Sequence, residues 1–449
     1  MSDRVLIVGA GLTGPLLACM MARRGHNVEL VERRDDPRAA GYAGGRSINL
    51  ALSTRGITAL EHVGLAAPIL ADAIPMNGRM MHAVDGTLRY QAYSSNPADA
   101  INSVSRGELN KAVLDGAEKA GATLRFGARC IDADPDAPSA TFENDQGETF
   151  TLAADVLLAA DGAFSAVRGR MQRRERFDYS QAYLEHGYKE LTIPPAEGGG
   201  FRIGRNALHI WPRGGYMMIA LPNIDGSFTC TCFWPFEGPH GFAAIQREAD
   251  VVPFFEQHFP DAVPHMPTLV EDFMKNPVGS LVTVRCAPWN VGSTTALVGD
   301  AAHAIVPFYG QGMNSGFEDC RVLDECLNAA NDDWSKALPA YSDLRKVNGD
   351  AIADMAIANF LEMRDHVGST GFLLKKKVGH VLHRLMPGTF VPLYNLVSFS
   401  NVPYAEARER AAAQGRLLRG ICIALAFVAV ILLAMIFTTL FAGPGEVPA

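Results

Sequence analysis

The sequence predicts an α/β protein, in which a Rossmann-like nucleotide-binding sheet is interrupted by an antiparallel sheet and followed by helices. Three observations predict it. A strand, a glycine turn and a helix open the chain; two apolar runs that end in acidic turns recur far downstream; and between those two runs lies a stretch of short alternating segments.

The opening unit is a strand at Arg4–Val8, a helix from about Gly14 to Arg24 and a second strand at Val28–Glu32, a β-α-β arrangement. The runs Asp155–Asp161 and Thr295–Asp300 are too uniformly apolar to be half-solvated, so they read as buried strands of the same sheet. From about 181 to 284 the chain carries Gly, Pro and alternating runs such as Gly215–Leu221 and Ser227–Trp234, which fit an antiparallel sheet. Helical periodicity returns over Ser315–Ala330 and Ala340–Asp365, before a Pro- and aromatic-bearing stretch from Met386 to Pro403. These readings divide the chain into a discontinuous nucleotide-binding domain (1–77, 100–180 and 285–345), a substrate domain (78–99 and 181–284) and a C-terminal helical region (346–417).

With 449 residues, 48% of them hydrophobic and 20% charged, the chain can build a large core and more than one substructure. Lys and Arg number 40 against 48 Asp and Glu, a net charge of -8, which argues against a nucleic-acid partner held by phosphate contacts. The eight cysteines are scattered. The closest pair, Cys230 and Cys232, falls on one face of a strand and reads as small core residues, so no metal is expected. The N-terminus runs straight into a strand without a signal-peptide pattern, which puts the catalytic part in the cytoplasm. At the other end no charge occurs from Ile421 to Ala442, the length a helix needs to span a bilayer. Arg408, Arg410, Arg416 and Arg419 precede that stretch. A single-pass transmembrane helix at 418–442 is therefore expected, with the lipid bilayer as a partner and the larger part on the cytoplasmic side.

The chemistry is carried by glycines and acids. In Gly9-Ala10-Gly11-Leu12-Thr13-Gly14 the glycines let main-chain N–H groups approach a pyrophosphate at a helix N-terminus. Glu32 lies 18 positions after Gly14, where its carboxylate can accept bonds from both adenosine ribose hydroxyls. This half-site does not separate FAD from NAD. Gly299-Asp300-Ala301-Ala302-His303, followed by Pro307 and Gly310-Gln311-Gly312-Met313-Asn314-Ser315-Gly316, does so. Asp300 at a strand end suits a flavin ribitol, and a helix start at Gly312–Asn314 stabilises negative charge on a reduced ring, so one extended FAD spans both places. His303 reads as a locally packed residue. With no Cys or His placed beside 310–314 for attachment, the flavin is expected to be noncovalent.

A third segment, Asp161-Gly162-Ala163-Phe164-Ser165-Ala166-Val167-Arg168, completes a set whose order and spacing resemble the single-component FAD-dependent aromatic hydroxylases. Gly45–Ser53, Ser103–Asn110, Pro307–Asn314 and Asn359–Arg364 narrow the resemblance, over nearly the whole chain, to the kynurenine 3-monooxygenase family. Tyr309 departs from its pattern only in which ring follows Phe308.

The resemblance implies NADPH- and O2-dependent hydroxylation of L-kynurenine through a flavin C4a-hydroperoxide, in tryptophan catabolism. It also implies that NADPH docks without a separate domain, with the Asp-Gly segment serving both FAD and NADPH. By the same resemblance, Arg79, Tyr93, Asn359 and Tyr394 hold the amino-acid end of the substrate. Phe308 and Tyr309 stand near the rings, and Glu362 and Met363 line the pocket. Gly9, Gly11, Thr13, Gly14, Glu32, Arg33, Arg34, Ala51, Arg106, Cys130, Asp161, Asp300, Gly312, Met313 and Asn314 contact the cofactor. No catalytic acid or base is expected, because the ring amino group of the substrate activates its own neighbouring carbon. Two other classes share parts of the pattern: a membrane-linked flavin epoxidase or reductase of lipids, which has no use for a carboxylate cradle at Arg79 and Tyr394, and a non-catalytic flavin-binding protein.

Overall fold

The computed structural model describes residues 2–39, 49–94, 96–362 and 390–441, with the backbone alone at positions 421, 422, 424–426 and 438–441. Its first sheet runs β18-β19-β12-β1-β2-β8. These strands are β1 (Arg4–Val8), β2 (Asn27–Val31), β8 (Thr123–Arg125), β12 (Val156–Ala159), β18 (Asn290–Val291) and β19 (Thr295–Leu297). β1 pairs in parallel with both β2 and β12, and β12 in parallel with β19, so the three apolar runs separated in sequence lie side by side. They are apolar throughout because both faces are covered. Val5–Val8 and Val156–Ala159 are all buried in one core with α1 (Thr13–Arg23) and later helices.

Two small antiparallel sheets lie beside it: β3 (Asn49–Leu52), β7 (Ile101–Ser105) and β4 (Ile74–Met76); and β9 (Ala128–Asp134), β10 (Ser139–Asn144) and β11 (Thr149–Ala153). The largest sheet runs β17-β13-β16-β15-β14-β5-β6. It consists of β5 (Gly78–His82), β6 (Leu88–Ala92), β13 (Asp178–Ile193), β14 (Ala207–Pro212), β15 (Met217–Pro222), β16 (Phe228–Pro235) and β17 (Gly279–Ala287). β5 enters it in parallel with β14, Arg79 opposite Leu208, and this brings the β5–β6 hairpin to a sheet otherwise built from residues 178 onward.

Among the described residues the α-helices in chain order are α1, α2 (Thr54–His62), α3 (Ala66–Ala71), α4 (Arg106–Lys119), α5 (Ala166–Met171), α6 (Glu248–His258), α7 (Leu269–Lys275), α8 (Asp300–His303), α9 (Gly312–Ala329), α10 (Trp334–Leu361), α11 (Leu393–Ser398) and α12 (Tyr404–Phe441). The two faces of the large sheet have different covers. Cys230, Cys232, Trp234 and Trp211 pack with Phe255, Phe259 and Phe273 of the α6–α7 side. Met81, Ile210, Met217 and Phe233 face Phe308, Tyr309, Phe360, Leu396 and Tyr404. The period-two alternation of β16 sends Phe233 to one core and its neighbours Cys232 and Trp234 to the other.

Several expectations shift. α6 and α7 stand inside the stretch read from sequence as sheet; Pro253 within α6 disguises a helix that buries Val251 and Phe255. α10 begins at Trp334 rather than near 340, because the Asp333 side chain caps it by accepting from the Ser335 N–H (3.0 Å). The transmembrane helix expected at 418–442 is not found: among the described residues, no helix is long and apolar enough to cross a membrane. The backbone there continues α12, in which Ile423, Phe427, Leu433 and Phe437 are exposed.

The tightest constraint lies at the first turn. Gly9 has φ +99°, and a Cβ on it stands 2.6 Å from the Ala160 carbonyl oxygen; a Cβ on Gly14 stands 1.9 Å from the Gly9 carbonyl oxygen. Only glycine lets α1 close on the turn, and no rotamer relieves a methyl there. Gly14→Ala is therefore expected to destabilise the chain by about 1–3 kcal/mol. Urea unfolding measures this, and an unchanged midpoint contradicts the close approach.

Candidate active site

The first half of the site is the end of β1. The Glu32 carboxylate, buried beyond β2, accepts from the Ala10 N–H (2.7 Å), the Arg34 N–H (3.1 Å) and Arg34 Nε (2.7 Å), so it both shapes the glycine turn and stands at its end. Asn110 on α4 donates to the carbonyls of Ala10 and Gly11, tying the turn from the other side. Sequence reasoning included Asn110 in a motif without giving it a role. Arg33 is exposed next to Glu32. A Cβ on Gly11 or Gly162 meets nothing within 4 Å, so both main chains border open space.

Asp161 follows β12 directly beside Gly9, its Cα 2.8 Å from where a Gly9 Cβ would stand. One carboxylate oxygen accepts from the Ala166 N–H (2.7 Å); the other, Oδ1, is buried with no partner among the described residues. Burial pushes this carboxyl above its ordinary range. Cys130 on β9 gives its Sγ–H to the Asp132 carbonyl (3.4 Å), and burial together with the nearby Asp161 charge pushes its thiol up to about 12. Arg168, buried, donates to the Ala301 carbonyl (2.7 Å) and the Ala163 carbonyl (2.6 Å), which joins the Asp-Gly segment to the Gly-Asp segment.

The Gly-Asp segment meets the glycine turn. Thr13 lies against Gly299, whose φ is +64°, and Gly316, where an added Cβ would stand 2.6 Å from the Thr13 hydroxyl. Asp300 opens α8. The residue is exposed, yet desolvation by the surrounding protein raises its carboxyl, while His303 and Arg106 at the head of α4 pull it the other way. α9 begins at Gly312, and among the described residues no side chain caps its first N–H groups, which can therefore face an anion. Asn314 in its first turn donates to the Ala51 carbonyl (2.8 Å) and the Gly310 carbonyl (2.8 Å) and accepts from the Ser53 N–H (2.9 Å), which fixes β3 against the helix. Met313 packs partly buried on the first core.

An arginine and a stack of rings adjoin this helix start. Arg79 on β5 is 7% exposed, its guanidinium 4.7 Å from the Tyr394 ring centroid and 5.6 Å from that of Tyr93. Burial opposes its charge, but the phenols of Tyr394 and Tyr93 and the Glu362 carboxylate outweigh it, and the guanidinium pKa is raised. Its Nε and the Tyr93 hydroxyl are buried without hydrogen-bond partners among the described residues. Tyr93 stacks on Tyr394 (5.0 Å) and Tyr394 on Tyr309 (5.6 Å), while Phe308 stacks on Phe360 (4.2 Å). Asn359 donates to the Phe308 carbonyl (2.6 Å), holding the Pro307–Tyr309 turn on α10. Glu362 ends α10. Met363 lies outside the described residues.

The donor set fits FAD: main chain bordering open space at Gly11 and Gly162, an α9 start without a side-chain cap among the described residues, an Asp161 carboxylate oxygen buried without a partner among the described residues, and the exposed Asp300. Residues 3–356 match the model of the FAD binding domain family, and the chain belongs to that family. Solved structures share the fold: 2-methyl-3-hydroxypyridine-5-carboxylic acid oxygenase has a TM-score of 0.65 at 20% identity, covering 82% of this chain and 94% of that one. A tetracycline destructase has a TM-score of 0.60 at 17% identity, covering 90% of this chain and 100% of that one.

Curated relatives narrow the class. Kynurenine 3-monooxygenase of Myxococcus xanthus is 50% identical over 412 residues, 91% of this chain and 89% of that protein. The enzyme of the same name from Dictyostelium discoideum is 46% identical over 418 residues, 90% of each chain. The chain belongs to the kynurenine 3-monooxygenase family and is an FAD-dependent monooxygenase.

Proposed function

We propose that this enzyme hydroxylates L-kynurenine on the ring carbon next to the aniline nitrogen, with NADPH as reductant and O2 as oxygen source, and that its residues work mainly by placement. The observation that carries the reading is the buried Arg79 guanidinium, with an unpaired Nε, set among Tyr93, Tyr394 and Tyr309 one turn from the start of α9. A buried cation with an unused Nε–H fits a carboxylate and is a costly wall for a lipid tail, which disfavours a lipid substrate.

In this reading Arg79 forks onto the substrate carboxylate, and the hydroxyls of Tyr93 and Tyr394 complete that end. Asn359 acts through the Phe308–Tyr309 turn that it holds. Phe308 and Tyr309 flank the aromatic ring, and Glu362 lines the pocket. Gly9, Gly11, Thr13 and Gly14 take the pyrophosphate. Glu32, Arg33 and Arg34 take the adenosine end, while Ala51, Arg106, Cys130, Asp161 and Asp300 line the path to Gly312, Met313 and Asn314. The division into a discontinuous flavin domain, a substrate domain (78–99 and 181–284) and a C-terminal region belongs to the same proposal.

FAD held by these residues would supply the redox chemistry, acceptance of reducing equivalents from NADPH and activation of O2. The substrate amino group pushes electron density onto the carbon to be hydroxylated, so the chain need supply no strong base. The stacked rings and buried Arg79 keep water from the reacting face and hold the substrate in one orientation, which directs oxygen to the ring rather than to H2O2.

We assign the apolar surface of α12 to contact with a bilayer, on the exposed Ile423, Phe427, Leu433 and Phe437 and the absence of charge from 421 to 442. Removing residues from 418 onward is expected to leave FAD content and turnover intact while freeing the chain from sedimented membranes. A truncated chain still held there places the attachment elsewhere.

Arg79→Ala tests the substrate reading while sparing the flavin segments. A charge-assisted bond to a ligand is worth about 1.5–3 kcal/mol, so KM for L-kynurenine is expected to rise roughly 10- to 100-fold. Arg79→Lys restores it only in part, for want of the planar fork. NADPH loss, H2O2 and product are followed together during a kynurenine titration. An unchanged KM with unchanged product per NADPH removes Arg79 from the site.

A further inference from the structure

Arg55, in the first turn of α2, is fully buried and reaches three elements at once. Its Nη1 donates to Glu318 Oε1 (2.6 Å) in α9. Its Nε donates to the Val397 carbonyl (3.2 Å), and its Nη2 donates to the carbonyls of Leu396 (3.5 Å) and Val402. The guanidinium carbon also lies 3.9 Å from the Tyr404 ring centroid. Every acceptor except Glu318 is main chain of the C-terminal segment that carries Tyr394, two residues before Leu396.

Two further bonds reach the start of α9, one from beside Arg55 and one from the C-terminal segment. Ser53 N–H donates to Asn314 Oδ1 (2.9 Å) in the first turn of α9. The Tyr404 hydroxyl donates to Gln311 Oε1 (2.8 Å), just ahead of that helix. Glu318 is 2% exposed and is also held by Arg345 Nη1 (2.7 Å), so it cannot follow Arg55 if the arginine moves. An uncompensated cation at this depth is strongly disfavoured. The C-terminal segment therefore cannot shift relative to α9 without breaking several charge-assisted bonds together.

We propose that Arg55, braced by Glu318, is a positioning residue that sets Tyr394, and with it the amino-acid end of the substrate, at a fixed spacing from the flavin-facing start of α9. This rests on the reading of Tyr394 as part of the substrate cradle. A fastening that only held the fold together would affect stability and flavin content, whereas a positioning role shows in KM and in the fraction of NADPH that ends as product.

The test uses the full chain loaded with FAD. Arg55→Lys keeps a cation for Glu318 but loses the fork that reaches the three carbonyls, and Glu318→Gln keeps the shape while removing the charge. Both are expected to hold flavin at the wild-type ratio per chain, to raise KM for L-kynurenine about tenfold and to lower product per NADPH, with NADPH oxidation at saturating substrate changed far less. Combined with Tyr394→Phe, the rise in KM should fall well short of the product of the single effects, because both act through one side chain. If Arg55→Lys does not fold, Glu318→Gln and its double variant are read in the same way. Wild-type KM and product yield in the Arg55 and Glu318 variants beside an impaired Tyr394→Phe overturn the inference alone. Effects that multiply also overturn it. A Tyr394→Phe enzyme with wild-type KM overturns the cradle reading and this inference with it.

Discussion

Two adjacent carboxylates of α9, Glu318 and Asp319, are carried into the interior, and much of the candidate site is arranged around neutralising them. Asp319 is completely buried; it accepts from Arg345 Nε (2.6 Å) and the Gly299 N–H (2.9 Å), and pairs with His303 Nε2 (2.6 Å). Glu318 takes Arg55 and Arg345. Burial alone raises both carboxyls; the charges of Arg345 and Arg55 on Glu318, and of His303 and Arg345 on Asp319, reverse that and hold them below their ordinary values. A buried ion network contributes little net stability against an apolar core, but it is unforgiving of misplacement. Here it pins the Gly299 turn ahead of Asp300, the first turns of α9 and the C-terminal segment to one another.

The aromatic wall depends on that frame. Phe308 and Tyr309 sit on the turn between Asp300 and α9, so their place is set by the same network. Their partners, Phe360 and Tyr394, arrive from α10 and α11. Tyr93 shares its small core with Met76, Ile101 and Leu221, against which Ala51 also packs. Since Asn314 holds the Ala51 carbonyl, the Tyr93 core and the start of α9 meet through shared neighbours.

What could be read from sequence was geometry that only particular residues permit. Gly9 and Gly14 are forced by a 1.9 Å approach, and the β1, β12 and β19 runs by burial on both faces, so both appear as local patterns. Arg79 and Tyr93 carry no such pattern, and only family resemblance singled them out; the parallel pairing of β5 with β14 that brings Arg79 inside joins segments over 120 residues apart. Arg55, Glu318 and Arg345 look in sequence like ordinary polar positions on helices, because their burial depends on partners from distant segments. α6 was hidden by Pro253. The uncharged tail was read as a span on length and hydropathy, while among the described residues α12 presents exposed apolar side chains and no spanning helix.

The claim on which the account rests is that oxygen from O2 is delivered to a kynurenine ring held beside the flavin. The most direct test is a reaction of the full-length holoenzyme with L-kynurenine and NADPH under isotopically labelled O2, with product mass and NADPH loss measured together. The account predicts one labelled oxygen in the ring-hydroxylated product and close to one product per NADPH. NADPH consumption without hydroxylated product, or product whose oxygen comes from water, contradicts it.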